Sequence, residues 1–199
     1  CMNAMNESTA WVEPEEETVN LWQQIKNQEG LGTVATTQSL GLPKMAQTDA
    51  IPFQVPPLVP YFSGRDAELA WFKAKIEQRQ VVLVICMAGM GGVGNTSLSV
   101  QVAHHCRHRF EDGVLWAEAS SDPATIAERW AAAYGFDFRG VPRIEDRLAA
   151  VRGMLAEKQA LIVVDGVDVA ARVKPLIPTE GQSVVLFTTR NADLAHTLG

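Results

Sequence analysis

From residue 65 onward the chain alternates between two apolar patterns. Between Asp66 and Gln78, Leu69, Phe72 and Ile76 recur at helical spacing and predict an amphipathic helix. Val81 to Met87 is a solid apolar run, as expected of a strand buried on both faces. Leu98, Val102, Cys106 and Phe110 then recur every four residues and predict a second helix. Gly113 to Ala119 reads as a strand, and Asp122-Pro123 as a cap followed by proline in the first helical turn, with Ile126 and Trp130 continuing that helix. Ile144, Leu148, Val151 and Leu155 mark another helix, and Ala160 to Val164 and Val184 to Thr188 are two more buried strands. Four such strands separated by helices predict an α/β fold: a parallel sheet with right-handed crossovers and helices on both faces.

The first sixty residues follow neither pattern. Pro43, Pro52, Pro56, Pro57 and Pro60 make residues 43–60 an extended connector, because a run of prolines suits neither helix interior nor central strand. Before it, Pro14 among Glu13 and Glu15 to Glu17 is a helix-start signal, and Leu21, Trp22 and Ile25 give one short apolar stripe. The expected organisation is an acidic arm with a short helix at 1–42, a proline-rich linker at 43–60 and an α/β core at 61–199.

Charge sharpens this division. Residues 1–50 carry seven acids against Lys26 and Lys44, whereas residues 51–199 carry sixteen acids and fifteen bases. A near-neutral core lacks the basic footprint of direct nucleic-acid binding. The longest strongly apolar run is seven residues, Val81 to Met87, against the ~20 that a membrane helix needs. Cys1, Cys86 and Cys106 are too scattered for a disulfide framework, and buried reduced thiols are expected for the latter two. A cytoplasmic location follows as the expectation. His104 and His108 stand four apart, but no cysteine or acid completes a metal set.

Candidate chemistry concentrates after the first core strand. Gly89-Met90-Gly91-Gly92-Val93-Gly94-Asn95-Thr96 follows a strand, opens a helix and matches the phosphate-binding pattern G-x-x-x-x-G-K-[ST] at every position but one. Glycines let successive backbone N–H groups turn toward a phosphate, and the helix N-terminus adds partial positive charge. The candidate phosphate set is Gly89, Met90, Gly91, Gly92, Val93, Gly94, Asn95, Thr96 and Ser97, with the Thr96 hydroxyl as a Mg²⁺ ligand. Asn95 stands where the pattern has lysine. Asparagine is shorter and neutral, so the backbone cradle is expected to survive while fast hydrolysis is not.

A second candidate Mg²⁺ ligand, Asp165, ends the apolar run Ala160 to Val164. Gly166 follows it, so a directly adjacent acid to polarise water is absent; Asp168, the candidate substitute, stands three residues on instead of beside it. Thr188-Thr189-Arg190 closes the fourth strand, at the sheet edge where open α/β folds bind ligands, and Arg190 can sense a terminal phosphate there.

Together, Phe62-Ser63-Gly64-Arg65-Asp66, GMGGVGNT, LIVVDGVD and VVLFTTR resemble the STAND-class P-loop ATPases, specifically the NB-ARC (AP-ATPase) branch, over roughly residues 55–199. The resemblance implies a strand order 5-1-4-3-2, with the fifth strand and further domains beyond Gly199 in a larger parent protein. It implies that Phe62, Gly64 and Arg65 lie near an adenine. It also implies an ATP/ADP switch regulating signalling, with Mg²⁺ as companion ion and self-association in the ATP state. Asn95 departs from the pattern, whether by natural decay or by deliberate substitution, and Gly166 departs from the usual second acid or amide. The expected function is a nucleotide-binding switch module with impaired hydrolysis. The alternative is a nucleotide-free interaction or oligomerisation scaffold with a decayed loop.

Overall fold

A computed structural model describes residues 50–78 and 83–194. The expected arm helix with Leu21, Trp22 and Ile25 lies outside the described residues, as do Cys1, Val81, Val82 and His196. The elements in chain order are α1 (Asp66–Gln78), β1 (Leu83–Ala88), α2 (Asn95–Cys106), β2 (Val114–Glu118), α3 (Pro123–Ala133), α4 (Ile144–Ala156), β3 (Leu161–Asp165), the single turn α5 (Ala170–Val173) and β4 (Val184–Thr189). The four strands form one all-parallel sheet in the order β1-β4-β3-β2. This is the 1-4-3-2 part of the expected order, and β1 stands at one edge.

Both faces of the sheet are covered. Leu115, Ala117, Ile162, Val164, Val185 and Phe187 point into a core shared with Ile126 and Trp130 of α3 and Val151 and Leu155 of α4. The alternate residues Ile85, Met87, Val114, Trp116, Leu161, Val163, Val184 and Leu186 point into a second core, shared with Phe72 and Ile76 of α1 and Leu98 and Val102 of α2. Burial on both faces is why the strands read as continuous apolar runs rather than as alternation. At the start of α3, Asp122 accepts a hydrogen bond from Ala124 N–H at 2.7 Å, and Pro123 occupies the first turn.

Two features differ from the sequence pattern. The stripe ending at Phe110 predicts one long helix, but α2 stops at Cys106 and Arg107–Arg109 tighten into a 3₁₀ turn. Phe110 is still buried, because the tighter turn reverses the chain toward β2 through Gly113, whose φ of +92° needs glycine. The C-terminal part of the linker is docked as well as extended. Phe53 bridges Val114 in parallel, with Val114 N–H donating to the Pro52 carbonyl at 2.8 Å and Gln54 N–H to the Val114 carbonyl at 3.0 Å. Proline is compatible with this contact because only the carbonyl of Pro52 is used.

Of the described cysteines, Cys106 is buried and Cys86 half-buried, and burial pushes the Cys86 thiol up to about 11. His104 Nε2 lies 3.0 Å from the Pro56 carbonyl, and His108 sits in the 3₁₀ turn. Among the described residues no three His, Cys, Asp or Glu side chains gather to hold a metal. None of the described helices is long and apolar enough to cross a membrane.

Candidate nucleotide site at the carboxyl ends of the strands

The loop from Gly89 to Gly94 leaves the end of β1 and opens α2. Gly89 N–H donates to the Thr189 carbonyl at 3.1 Å, which ties the start of the loop to the end of β4. Gly92 and Gly94 take φ values of +85° and +92°, a conformation that L side chains rarely adopt. Space around both is open, since a Cβ at either would meet nothing within 4 Å. Gly94 also caps α2, leaving the first-turn N–H groups directed at the loop. These are the requirements of an anion cradle. Met90 projects into solvent, Val93 is half-buried, and Ser97 is half-buried on the first turn of α2.

Asn95 is turned toward the start of the loop, beside Gly89. Its Nδ2 donates to the Met87 carbonyl at 3.4 Å, and a Cβ on Gly89 would lie 3.0 Å from that same nitrogen. Its Oδ1 is buried without a partner. An unpartnered buried carbonyl costs about 1–3 kcal/mol. The side chain is neutral and presents no charge to the loop.

Thr96 projects outward instead and donates to both carboxylate oxygens of Asp165, at 2.8 and 3.1 Å. Thr188 also donates its hydroxyl to Asp165 Oδ1. Two hydroxyls and a carboxylate at one point are hard oxygen donors, and they fit a Mg²⁺ ion that keeps part of its water shell. Gly166 has φ +73°, so the backbone itself favours glycine where a second acid was absent from the sequence. Its N–H donates to Thr188 Oγ1 at 2.8 Å. Asp168, weighed as a stand-in for that acid, is exposed.

Two arginines approach the loop. Arg65 donates to the Val93 carbonyl at 3.4 Å and pairs with Glu68 at 2.9 Å. Arg190 follows β4, and a Cβ on Gly91 would lie 3.5 Å from its Nε and 3.6 Å from its Cζ. Gly64 precedes α1 at φ +82°, and half-buried Phe62 packs against the α1/α2 core. The fold thus brings Asn95, Thr96, Asp165, Arg65 and Arg190 to one sheet edge, while Phe62 and Gly64 stand beside it on the approach to α1.

Sequence reasoning singled out Asp165 and Thr96 but missed Thr188 as their partner. The signal was present in the Thr188-Thr189 doublet. Successive strand residues face opposite ways, so one of the pair turns to Asp165 while the other bonds inward, here Thr189 Oγ1 to the Val167 carbonyl at 2.6 Å. Glu68 as partner of Arg65 was also missed, although the i,i+3 spacing offers it.

Comparisons with known proteins accord with this arrangement. A family model described as NB-ARC domain matches residues 68–199. The regulatory protein AfsR of Streptomyces griseus is 32% identical over 148 residues, covering 70% of this chain and 15% of its own length. The regulatory protein AfsR of Streptomyces coelicolor is 33% identical over 160 residues, covering 72% of this chain and 16% of its own. The chain therefore spans only about 15–16% of the length of these curated relatives.

Proposed function

The chain belongs to the NB-ARC family, and on that footing we propose that it is the ATP/ADP-binding switch module of a larger regulatory protein, with hydrolysis impaired at Asn95. The observation that carries this reading is the contrast between neighbours at the start of α2. Thr96 joins Asp165 at the sheet edge, whereas Asn95 folds down onto Met87. On this reading the first of these contacts would serve a nucleotide phosphate and its Mg²⁺, and the second leaves no lysine to neutralise charge growing in the transition state.

In this reading the backbone N–H groups from Gly89 to Asn95 hold the phosphates, and Thr96 and Asp165 hold the Mg²⁺. That ion, when bound, offsets phosphate charge. Phe62, Gly64 and Arg65 flank the base, and Arg190 meets the terminal phosphate. With Gly166 in place of a second acid, no side chain beside Asp165 polarises an attacking water. The module then acts by differential binding: ATP, touching Arg190, favours one state and ADP the other. A regulatory output is supported by the relatives, which are regulatory proteins; it belongs to the parent protein, along with any self-association. A cytoplasmic setting suits a nucleotide switch.

Turnover tests the catalytic half of this reading. ATP hydrolysis by the native chain is expected at background, and Asn95→Lys is expected to raise it by about ten-fold or more, since the lost interaction is one made in the transition state. Brisk hydrolysis by the native chain would contradict the assignment. A second reading, a nucleotide-free scaffold, is favoured by one observation: Asn95 contributes no charge to the phosphate face. It predicts no thermal shift with Mg·ADP.

A further inference from the structure

At the amino ends of the strands, opposite the phosphate loop, a cavity of about 140 Å³ opens between α1 and the end of α2. Its floor is apolar, with buried Ile76 and Cys106, and its rim carries Lys73, His105, His108 and Arg109 with one acid, Glu77. Arg109 donates to Glu77 at 2.6 Å, but these side chains are 48% and 50% exposed, a setting in which an ion pair is weak and exchanges partners. Helix ends attract cations, yet Lys73 lies five residues before the end of α1, more than a turn back from that attraction. Beside the rim, exposed Arg107 places its guanidinium over the Phe53 ring at 4.8 Å. Even counting Glu111 next to the 3₁₀ turn, Lys73, Arg107 and Arg109 outnumber the acids here, on a body that is net −1 over residues 51–199.

The strap sets where the N-terminal arm leaves this core. Its Pro52 carbonyl accepts from Val114 N–H at 2.8 Å, His104 Nε2 lies 3.0 Å from the Pro56 carbonyl, and the Phe53 and His104 rings meet edge-on at 5.0 Å. A Cβ on Gly113 would lie 2.9 Å from Ile51 Cγ2, and Gly113 N–H donates to the Phe110 carbonyl at 3.0 Å, directly after the 3₁₀ turn. The arm is thus tethered next to the cationic rim. Residues 1–50 hold Glu7, Glu13, Glu15, Glu16, Glu17, Glu29 and Asp49 against two lysines, a net charge of −5. We propose that this acidic arm docks on the cationic cavity between α1 and α2, with the segment Glu13 to Glu17 opposite Lys73 and Arg109. Charge complementarity selects the partner, and covalent attachment makes the docking intramolecular, so several individually weak pairs suffice. The surface lies at the end of the sheet away from the phosphate loop, so the inference stands independently of the nucleotide reading.

Zero-length carbodiimide coupling tests this, since it joins a carboxylate to a lysine amine only where the two touch. The native 199-residue chain is coupled as a mixture of isotopically light and heavy copies, and the joined peptides are identified by mass spectrometry. Lys73 is the reporter; Lys174, exposed beside Leu176 on the other face of the sheet, is the reference. Amides from Glu13 to Glu17 are expected about ten-fold more often at Lys73 than at Lys174, within single copies, because the docked arm is held there. In about 1 M salt, where charges are screened beyond about 3 Å, the two yields should converge. Arg109→Gln is expected to lower the Lys73 yield by about three-fold and Arg109→Lys to restore it, with both variants unfolding near the native temperature because the Glu77 pair is half exposed. Equal coupling to Lys73 and Lys174, or a Lys73 yield indifferent to salt and to Arg109→Gln, would overturn the proposal. Coupling at Lys73 that joins light copies to heavy ones would also overturn it and assign the surface to a second copy of the chain.

Discussion

Asp165 accepts hydrogen bonds from Thr96 and Thr188, one at the mouth of α2 and one at the end of β4. A carboxylate that accepts two hydroxyls beside an anion cradle is suited to a divalent cation, and removing its charge should act on the cation without unmaking the fold. Asp165→Asn keeps the size of the side chain, and its amide oxygen still accepts from Thr96. The expected outcome is loss of Mg²⁺ dependence. In the native chain, adding excess EDTA should weaken ADP binding by about ten-fold, while in the variant titrations with Mg²⁺ and with EDTA should converge. An unchanged Mg²⁺ effect would place the ion elsewhere. Asn95 makes the complementary point: its residue type was legible, but its rotamer, bonded to Met87 and leaving Oδ1 unpartnered, was not. Which way a short amide turns depends on a backbone carbonyl eight residues away and on the space left by Gly89.

At the scale of elements, the sheet was legible because β3 and β4 are buried on both faces, and β1 is buried on one face with Val84 and Cys86 half-buried on the other, so that all three read as unbroken apolar runs. The capped start of α3 was legible from Asp122-Pro123 for a local reason, since the cap bond spans two residues. The order of the strands was not in the periodicity at all; it came from resemblance, and the parallel pairings of β1 with β4 and of β2 with β3 agree with it. The least legible element was the strap at Pro52 to Gln54. Prolines suppress a strand reading, and the partner, Val114, lies about sixty residues away in sequence. Gly113 makes that strap testable. It holds φ +92°, and a Cβ there would sit 2.2 Å from the Pro52 carbonyl oxygen, a backbone atom that cannot yield without breaking the bridge. Gly113→Ala is therefore expected to destabilise the chain by about 2–4 kcal/mol in denaturant unfolding, from strain and displacement combined. Gly153→Ala, inside α4 with open space around it, serves as the control and should be neutral or stabilising. Equal effects at the two positions would mean that the strap is not held against β2.

For the whole molecule, the motifs lie far apart in sequence and converge because parallel strands deliver their carboxyl ends to one edge. Thr96 and Asp165 meet across 69 residues, and Arg190 arrives from the next strand over. This convergence, with membership of the NB-ARC family, is what makes a nucleotide module the central claim. A ligand that binds only the folded chain stabilises it by about 2.7 kcal/mol at a hundred times its Kd. For a chain of this size that corresponds to a rise in Tm of roughly 5–10 °C. The measurement that bears on the claim most directly is calorimetric titration of the native chain with Mg·ADP, repeated as thermal unfolding at saturating ligand. One-to-one saturable binding with a Tm rise of that order is the predicted result, weaker than in the Asn95→Lys chain but present. No heat and no shift in the native chain, at ligand concentrations where Asn95→Lys saturates, would contradict it and leave a scaffold whose loop has lost its ligand.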